Sequence, residues 1–315
     1  MPSDRRSFWS QPLAAPRYAV VWLMYVAMRA LVKLPFERQL AIGEALGRIG
    51  WRVLGRRRRI AERNIEICMP ELSAEERDAL VKRHFEALGA SLAETAMGWF
   101  GSVDEIKRRV TINGEQHLNA ALAHGRGVIL YSAHFTSLEF SVPAVRPLCK
   151  RITGMYKPPR NPAMNRFMER GRNRNVDETF AKDNVRAMIR NLSMNAAVWY
   201  ASDQSYGRKG SALVPFFGVP AMTNTAICRI AARTGAVVLP YFYRRLPGEA
   251  HYVVDILPPL ENFPSDDAIA DVTRLNHLLE DYIRLAPEQY WWIHQRFKGR
   301  PAPYPDVYAG LRRAA

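Results

Sequence analysis

The sequence has 315 residues, of which 48% are hydrophobic and 24% are charged. This balance is typical of a globular chain with a sizeable core, and it excludes a disordered chain and a polytopic membrane protein. The 45 Lys and Arg residues outnumber the 30 Asp and Glu residues, which gives a net charge of +15. An excess of this size indicates an anionic partner, whether nucleic acid, an acidic protein or phospholipid headgroups.

The positive charge is concentrated near the N-terminus. Residues 1–63 contain 13 Lys and Arg but only 4 Asp and Glu, so they carry more than half of the net charge. An apolar run at 18–28, which continues to residue 34, lies among these charges. Because a membrane-spanning helix needs about 20 apolar residues, this run is at the short limit. We interpret it as a membrane-associated anchor helix, with a secretory signal peptide or a buried amphipathic helix as alternatives.

The arginine run at 56–59 lies in the same region and suits anionic headgroups, at about 1 kcal/mol per residue near a membrane surface. No nucleic-acid reader motif accompanies it, so we expect no nucleic-acid partner. The three cysteines, Cys68, Cys149 and Cys228, are far apart. Their spacing favours packing roles over a disulfide framework or a metal site.

The remainder of the chain alternates between strand-like and helix-like segments. Pro70 is typical of a helix stop, and Ser73 with Glu76 forms a capping-box pattern that opens a helix to about Phe100. Strand-like runs follow at 126–132, 152–157, 197–202, 236–244 and 251–257, and a helical segment at 268–285. This alternation predicts an α/β fold with a mostly parallel central sheet flanked by helices. We therefore divide the chain into a basic N-terminal region, 1–63, with its anchor helix at about 18–34, and an α/β domain, 64–315.

The most informative segment is the end of the first of these strands. His134 follows the strand directly, at a position where ligands bind in open α/β sheets. Glu139, five residues later, could orient the imidazole as a general base. The alternative is structural: Thr136 and Glu139 also fit a capping box, in which Glu139 would bond the backbone and His134 would be a core residue.

The motif His134-Phe-Thr-Ser-Leu-Glu139 and several later stretches resemble one enzyme family. These stretches are YKPPRNP at 156–162, ERGRNRN at 169–175, WYASDQSYGRKGSALVPFFG at 199–218 and APEQYWWIHQRFKGRP at 286–301. In this order and spacing they are similar to the lipid A late (lauroyl/myristoyl) acyltransferases of the lysophospholipid acyltransferase superfamily.

The resemblance implies an acyltransferase on the cytoplasmic face of the inner membrane. It would move a fatty acyl chain from the thioester of acyl carrier protein to a hydroxyl of a lipid A precursor, without metal or cofactor. His134 would be the base and Glu139 its partner. Arg172 and Asp203 would bind the oxyanion or substrate, and the possible phosphate or carrier contacts are Lys157, Arg174, Arg208 and Lys209. This sequence departs from the family where Ser205 replaces a second acid and Lys157 replaces an arginine.

Two other functions stay open at this point. A relative of the same fold could acylate another lipid or glycolipid, and a chain of this kind could be a non-catalytic membrane-peripheral binding protein. Near the C-terminus, Trp291, Trp292 and Phe297 favour packing roles, whereas Arg296 and Lys298 are expected to extend the basic surface.

Overall fold

The computed structural model describes residues 18–207 and 210–312. The helices are α1 (Ala19–Leu31), α2 (Phe36–Val53), α3 (Gly55–Cys68), α4 (Ala74–Phe100), α5 (Val103–Arg108), α6 (Glu115–Ala123), α7 (Leu138–Val145), α8 (Pro162–Arg172), α9 (Val185–Ser193), α10 (Ala226–Thr234) and α11 (Ala268–Leu285). The strands are β1 (Val110–Asn113), β2 (Val128–Ser132), β3 (Ile152–Tyr156), β4 (Glu178–Ala181), β5 (Ala197–Ala201), β6 (Ser211–Phe216), β7 (Val219–Asn224), β8 (Val237–Arg245) and β9 (Tyr252–Ile256).

A seven-stranded sheet forms the centre of the molecule, in the order β1-β9-β8-β2-β5-β3-β4. The five strands from β8 to β4 are parallel, whereas β9 pairs with β8 in the antiparallel sense and β1 is parallel to β9. All five residues of β2 are buried, as expected for a central strand that is covered by helices on both faces. The predicted α/β fold with a mostly parallel sheet is confirmed.

Local sequence explains where the longest helix begins. Ser73 accepts a hydrogen bond from the backbone of Glu76, and the Glu76 carboxylate accepts one from the backbone of Ser73, which completes the predicted capping box. The helix α4 then extends to Phe100, where the predicted helix also ends.

The helix α2 packs very closely on α4 through glycines. A Cβ added to Gly89 would lie 2.0 Å from the carbonyl oxygen of Gly43, and one added to Gly47 would lie 2.1 Å from that of Phe85. Only glycine permits this approach of two helix backbones. The N-terminal helices therefore pack directly on the α/β core. The predicted domain boundary between residues 63 and 64 lies inside α3, between Ile60 and Ile65, which both belong to that core.

The predicted anchor segment forms the 13-residue helix α1. Tyr18, directly before this helix, and Val21 within it pack against Trp99 and Phe167. Within the described ranges, no helix combines the length and the apolar character that crossing a bilayer requires.

Candidate active site

Two neighbouring parallel strands bring the central pair of side chains together. The register aligns Ser132, the last residue of β2, with Ala201, the last residue of β5. His134 and Asp203 each follow two residues later, so both lie at the carboxyl edge of the sheet, where α/β enzymes bind their ligands. The sheet thus joins two residues that are 69 positions apart in the sequence.

Asp203 holds His134 through both of its carboxylate oxygens. Oδ1 lies 2.7 Å from Nδ1 of the imidazole, and Oδ2 accepts a hydrogen bond from the backbone N–H of His134 at 3.2 Å. The side chain of Asp203 is 2% exposed and that of His134 is 32% exposed. Because Asp203 occupies Nδ1, Nε2 is the nitrogen available to a substrate.

The surroundings of Asp203 keep it ionised. Burial opposes its charge, but the charge of His134 and the hydrogen bonds from that residue outweigh burial, so the pKa of Asp203 lies below its ordinary value. Burial, and then the charge of Asp203, raises the pKa of the nearby Tyr290 well above its ordinary value. Asp203 therefore remains an ionised carboxylate that accepts hydrogen bonds, and Tyr290 keeps its proton.

A second histidine fixes the turn that carries Asp203. The backbone N–H of Ser205 donates to Nε2 of His294 at 3.1 Å. Burial lowers the pKa of His294 to about 4, although the charge of Asp203 acts in the opposite direction. His294 is therefore neutral at physiological pH and acts as an acceptor for the backbone. Neither Tyr290 nor His294 was singled out from the sequence as a site residue, since each lies far from Asp203 in the chain.

The structure corrects the role predicted for Glu139. Its Oε1 accepts a hydrogen bond from Nε of Arg172 at 2.7 Å and forms an ion pair with Nη2 of the same guanidinium at 2.5 Å. Its Oε2 accepts a hydrogen bond from the indole N–H of Trp99 at 2.8 Å. Asp203, not Glu139, is therefore the carboxylate that orients His134. The capping-box alternative is also wrong, because the N-cap residue of α7 is Ser137 and the Glu139 side chain bonds other side chains.

Close packing between helices places the Glu139–Arg172 pair. Asn161 caps α8 by accepting from the backbone of Ala163 and Met164, and Arg172 is the last residue of that helix. A Cβ on Gly171 would lie 2.3 Å from the Trp99 ring. The absence of a side chain at this position lets the indole lie against α8, within reach of Glu139.

A cavity of about 320 Å³ lies beside these groups. His134, Glu139, Arg172, Lys157 and Gln204 form its polar part. Its remaining wall is mostly apolar and includes Leu130, Leu138, Val142, Val145, Ile152, Met168, Val176, Trp199 and Tyr241. An apolar cavity with a few convergent polar groups is the usual form of a site for a small molecule with an apolar part.

The other predicted site residues have different positions. Lys157 is exposed at the cavity, whereas Arg174 donates to the carbonyl oxygens of Trp99 and Gly101 at the end of α4. Arg208 and Lys209 lie outside the described residues. The expected surface role of Arg296 is wrong: this residue is 2% exposed and donates to Met222 and Thr223.

An imidazole held by a buried carboxylate lies at the carboxyl edge of a parallel sheet, beside an apolar cavity. This arrangement suits an enzyme whose substrate has an apolar part. Residues 9–299 match the family described as bacterial lipid A biosynthesis acyltransferase. The chain belongs to this family, and it is an O-acyltransferase.

Individual relatives agree with this assignment. The lipid A biosynthesis lauroyltransferase of Escherichia coli is 36% identical over 95% of this chain and 98% of its own length. The palmitoleoyltransferase of the same organism is 35% identical over the same shares of the two chains. The E. coli lipid A biosynthesis myristoyltransferase is 26% identical over 90% of this chain and 88% of its own length. The predicted family and enzyme class are confirmed.

Proposed function

We propose that this chain transfers a fatty acyl group from the thioester of acyl carrier protein to a hydroxyl of a lipid A precursor at the surface of the inner membrane. One observation carries the proposal. An imidazole whose Nδ1 is bound by a buried carboxylate lies at the polar part of an apolar cavity. That arrangement provides a base next to a space for a hydrocarbon chain.

The imidazole would act as a general base. With its proton on Nδ1 and directed at Asp203, its Nε2 lone pair accepts the proton of the acceptor hydroxyl as that oxygen attacks the thioester carbonyl carbon. The new C–O ester bond forms, the C–S bond breaks, and the leaving thiolate takes the proton from Nε2. General-base help of this kind contributes about 10²–10⁴-fold to the rate. The reaction needs no covalent acyl-enzyme, metal or cofactor.

Arg172 would stabilise the negative charge that develops on the thioester oxygen. Its guanidinium is fixed by Glu139 and lies 5.7 Å from the centroid of the Tyr156 ring. Side chains held in place before the reaction are effective here because they do not reorganise during it. Glu139 therefore acts through Arg172, as a positioning residue, and Trp99 fixes Glu139 in turn.

The donor would place its acyl chain along the apolar wall of the cavity, with the thioester beside His134. Lys157, exposed at the polar part, is a suitable contact for the phosphate of the donor's prosthetic arm or for an acidic carrier protein. Arg174, Arg208 and Lys209 remain part of the same prediction.

Membrane association would come from the outer faces of α1 and α2. Val20, Leu23 and Val26 of α1 are 55% to 68% exposed. On α2, the exposed apolar side chains recur at helical spacing, so that they form one stripe: Ile42, Leu46, Ile49 and Val53. Exposed arginines lie on the same two helices, at Arg29 and Arg52. An apolar stripe beside cations is the form of a helix that lies in the interface of an anionic bilayer.

The catalytic proposal is tested with purified protein, acyl carrier protein thioesters and a lipid A precursor without secondary acyl chains. We expect His134→Ala to lose about 10²–10⁴-fold in kcat, whereas His124→Ala, at an exposed histidine, keeps full activity. Mass spectrometry identifies the ester formed. A fully active His134→Ala, or no transfer to this acceptor by the unmodified protein, would overturn the proposal.

The membrane proposal is tested by flotation with vesicles that contain phosphatidylglycerol. Replacing Ile42, Leu46 and Ile49 by serine should reduce the bound fraction several-fold and leave thermal unfolding unchanged. Serine at Val185, Met194 and Ile269, which are exposed apolar residues elsewhere, is the control. Equal binding by both triple variants would contradict an interfacial role for α2.

A further inference from the structure

Gly154 leaves an unfilled position in the wall of the cavity. It lies in β3 and borders the same cavity as His134. A Cβ built on it would have no atom of another residue within 4 Å, apart from its chain neighbours, and its φ lies outside the left-handed region. The backbone therefore accepts any side chain here, and the space in front of it is open. A glycine inside a strand costs stability and often marks the close approach of a ligand.

The strand register places Gly154 in a row that crosses the cavity wall. Gly154 is aligned with Trp199 on β5 and with Thr179 on β4, and Trp199 is aligned with Leu130 on β2. Registered neighbours in a parallel sheet have their side chains on the same face, and all four residues border the cavity. In this row Gly154, which has no side chain, lies next to Trp199, which has the largest one.

The residues of β3 on either side of Gly154 show where this row lies along the cavity. Side chains two residues apart share a face, so Ile152, Gly154 and Tyr156 succeed one another along the wall. Ile152 is 1% exposed, and Tyr156 is half-buried beside the exposed Lys157. The Trp199 ring packs edge-to-face on the imidazole of His134, with 5.8 Å between ring centroids. Gly154 therefore lies between the reacting groups and the buried part of the cavity.

We propose that the open space at Gly154 sets the length of acyl chain that the enzyme accepts. This inference rests on the proposed function, since it assigns the cavity to the acyl chain of the donor. A chain long enough to pass Gly154 continues toward Val145 and Ile152, both of which are almost fully buried. A side chain at residue 154 would block that path and leave the shorter part, near His134, unchanged. One methylene more or less in a closed apolar pocket changes specificity by about 10- to 200-fold.

The experiment measures kcat/KM for a series of acyl carrier protein thioesters from octanoyl to palmitoyl, with the full chain and the lipid A precursor. For Gly154→Met we expect the preferred donor to shorten by about two carbons or more, and kcat/KM for the original donor to fall at least about 10-fold. Gly154→Ala should shift the profile in the same direction by less. Gly310→Met, at an exposed glycine in the short 3₁₀ helix Ala309–Arg312 with nothing within 4 Å of its Cβ position, should keep the original profile.

Three results would overturn the inference. They are an unchanged chain-length profile in a stably folded Gly154→Met, a uniform loss for all donors, and a shift toward longer chains. Thermal unfolding is measured in parallel, and Gly154→Ala decides the question if the methionine variant does not fold.

A failure of the proposed function is recognised separately. In that case the unmodified protein would transfer nothing to the lipid A precursor. Calorimetric binding of the same thioester series, without acceptor, would still report whether residue 154 selects the chain length. Equal affinities of the unmodified protein and of Gly154→Met for every donor would then reject the inference by itself.

Discussion

Two carboxylates lie at or beside the same cavity, and each binds a different kind of side chain. Asp203 is 2% exposed and binds an imidazole, which can gain and lose a proton. Glu139 is 15% exposed and binds the side chain of Arg172. A guanidinium is a permanent cation in proteins. Geometry alone does not separate them, since both pairs are short and both are partly or fully buried.

The chemistry of the partner separates them. A carboxylate on an imidazole fixes the tautomer and stabilises the cation that forms during proton transfer. A carboxylate on a guanidinium can only hold a permanent charge in place. We therefore assign proton transfer to the Asp203 pair and positioning of a cation to the Glu139 pair, and the following variants test this division.

The largest effect is expected for Asp203→Asn. The amide keeps the size of the side chain but removes the charge that holds Nδ1–H, so kcat should fall by about 10³–10⁴-fold with little change in KM. Steady-state kinetics measures this, with circular dichroism to confirm folding. Near-normal activity in this variant would remove Asp203 from proton transfer.

An intermediate effect is expected for Glu139→Gln. The amide oxygen can still accept from Trp99, but the ion pair with Arg172 is lost, so activity should fall by about 10- to 100-fold, the value of about 1.5–3 kcal/mol for a charge-assisted hydrogen bond. Glu178→Gln is the control, because Glu178 also pairs with arginines but does not border the cavity. A larger loss in Glu139→Gln than in Asp203→Asn would reverse the assignment.

A third variant changes only the helix packing that holds the backbone of Glu139 in place. In Gly98→Ala the new Cβ would lie 2.2 Å from the carbonyl oxygen of Glu139, so α7 must move. We expect a loss of about 1–3 kcal/mol in the free energy of unfolding and a several-fold loss of activity. Gly50→Ala provides the comparison, since its Cβ would have ordinary contacts at 3.7 Å, and alanine is the better helix former. Equal melting temperatures for the two variants would contradict the close packing at Gly98.

The smallest effect concerns stability against pH. Burial lowers the pKa of His294 to about 4, whereas an unfolded histidine titrates near pH 6.5. Between these values the unfolded chain binds more protons, so stability falls as the pH decreases, by at most about 1.4 kcal/mol per pH unit. His294→Gln should flatten this slope in thermal unfolding between pH 7 and 4.5. A histidine cation paired with Asp203 would give the opposite slope, and that result would add a second titrating partner to Asp203.

The sequence predicts the central elements of the fold and misses those at its margins. The predicted strands correspond to β2, β3, β5, β8 and β9, and the predicted helix 268–285 is α11. The edge strands β1 and β4 were missed because each has four residues with few buried ones, so no apolar run marks them. The hairpin of β6 and β7 was also missed. Its turn uses positive φ at Phe217 and Gly218, and phenylalanine is not a usual signal for that conformation.

The site was predicted as a set of residues but not as a set of pairs. His134, Glu139, Arg172 and Asp203 do lie together around one cavity or its edge. Spacing in the sequence favoured Glu139 as the partner of His134, because local separation is visible and strand order is not. The pairing of β2 with β5 decides the matter, and the available signal was that His134 and Asp203 each follow a predicted strand.

Trp99 connects the N-terminal helix to the reacting groups. Its ring packs in the cluster that holds Tyr18 and Val21, while its indole N–H holds Glu139. A shortened protein that begins after residue 34, an obvious choice for removing the apolar N-terminal segment, would expose one side of this indole to water. Such a truncation therefore acts on the alignment of Arg172 as well as on solubility, and its activity would understate that of the whole enzyme.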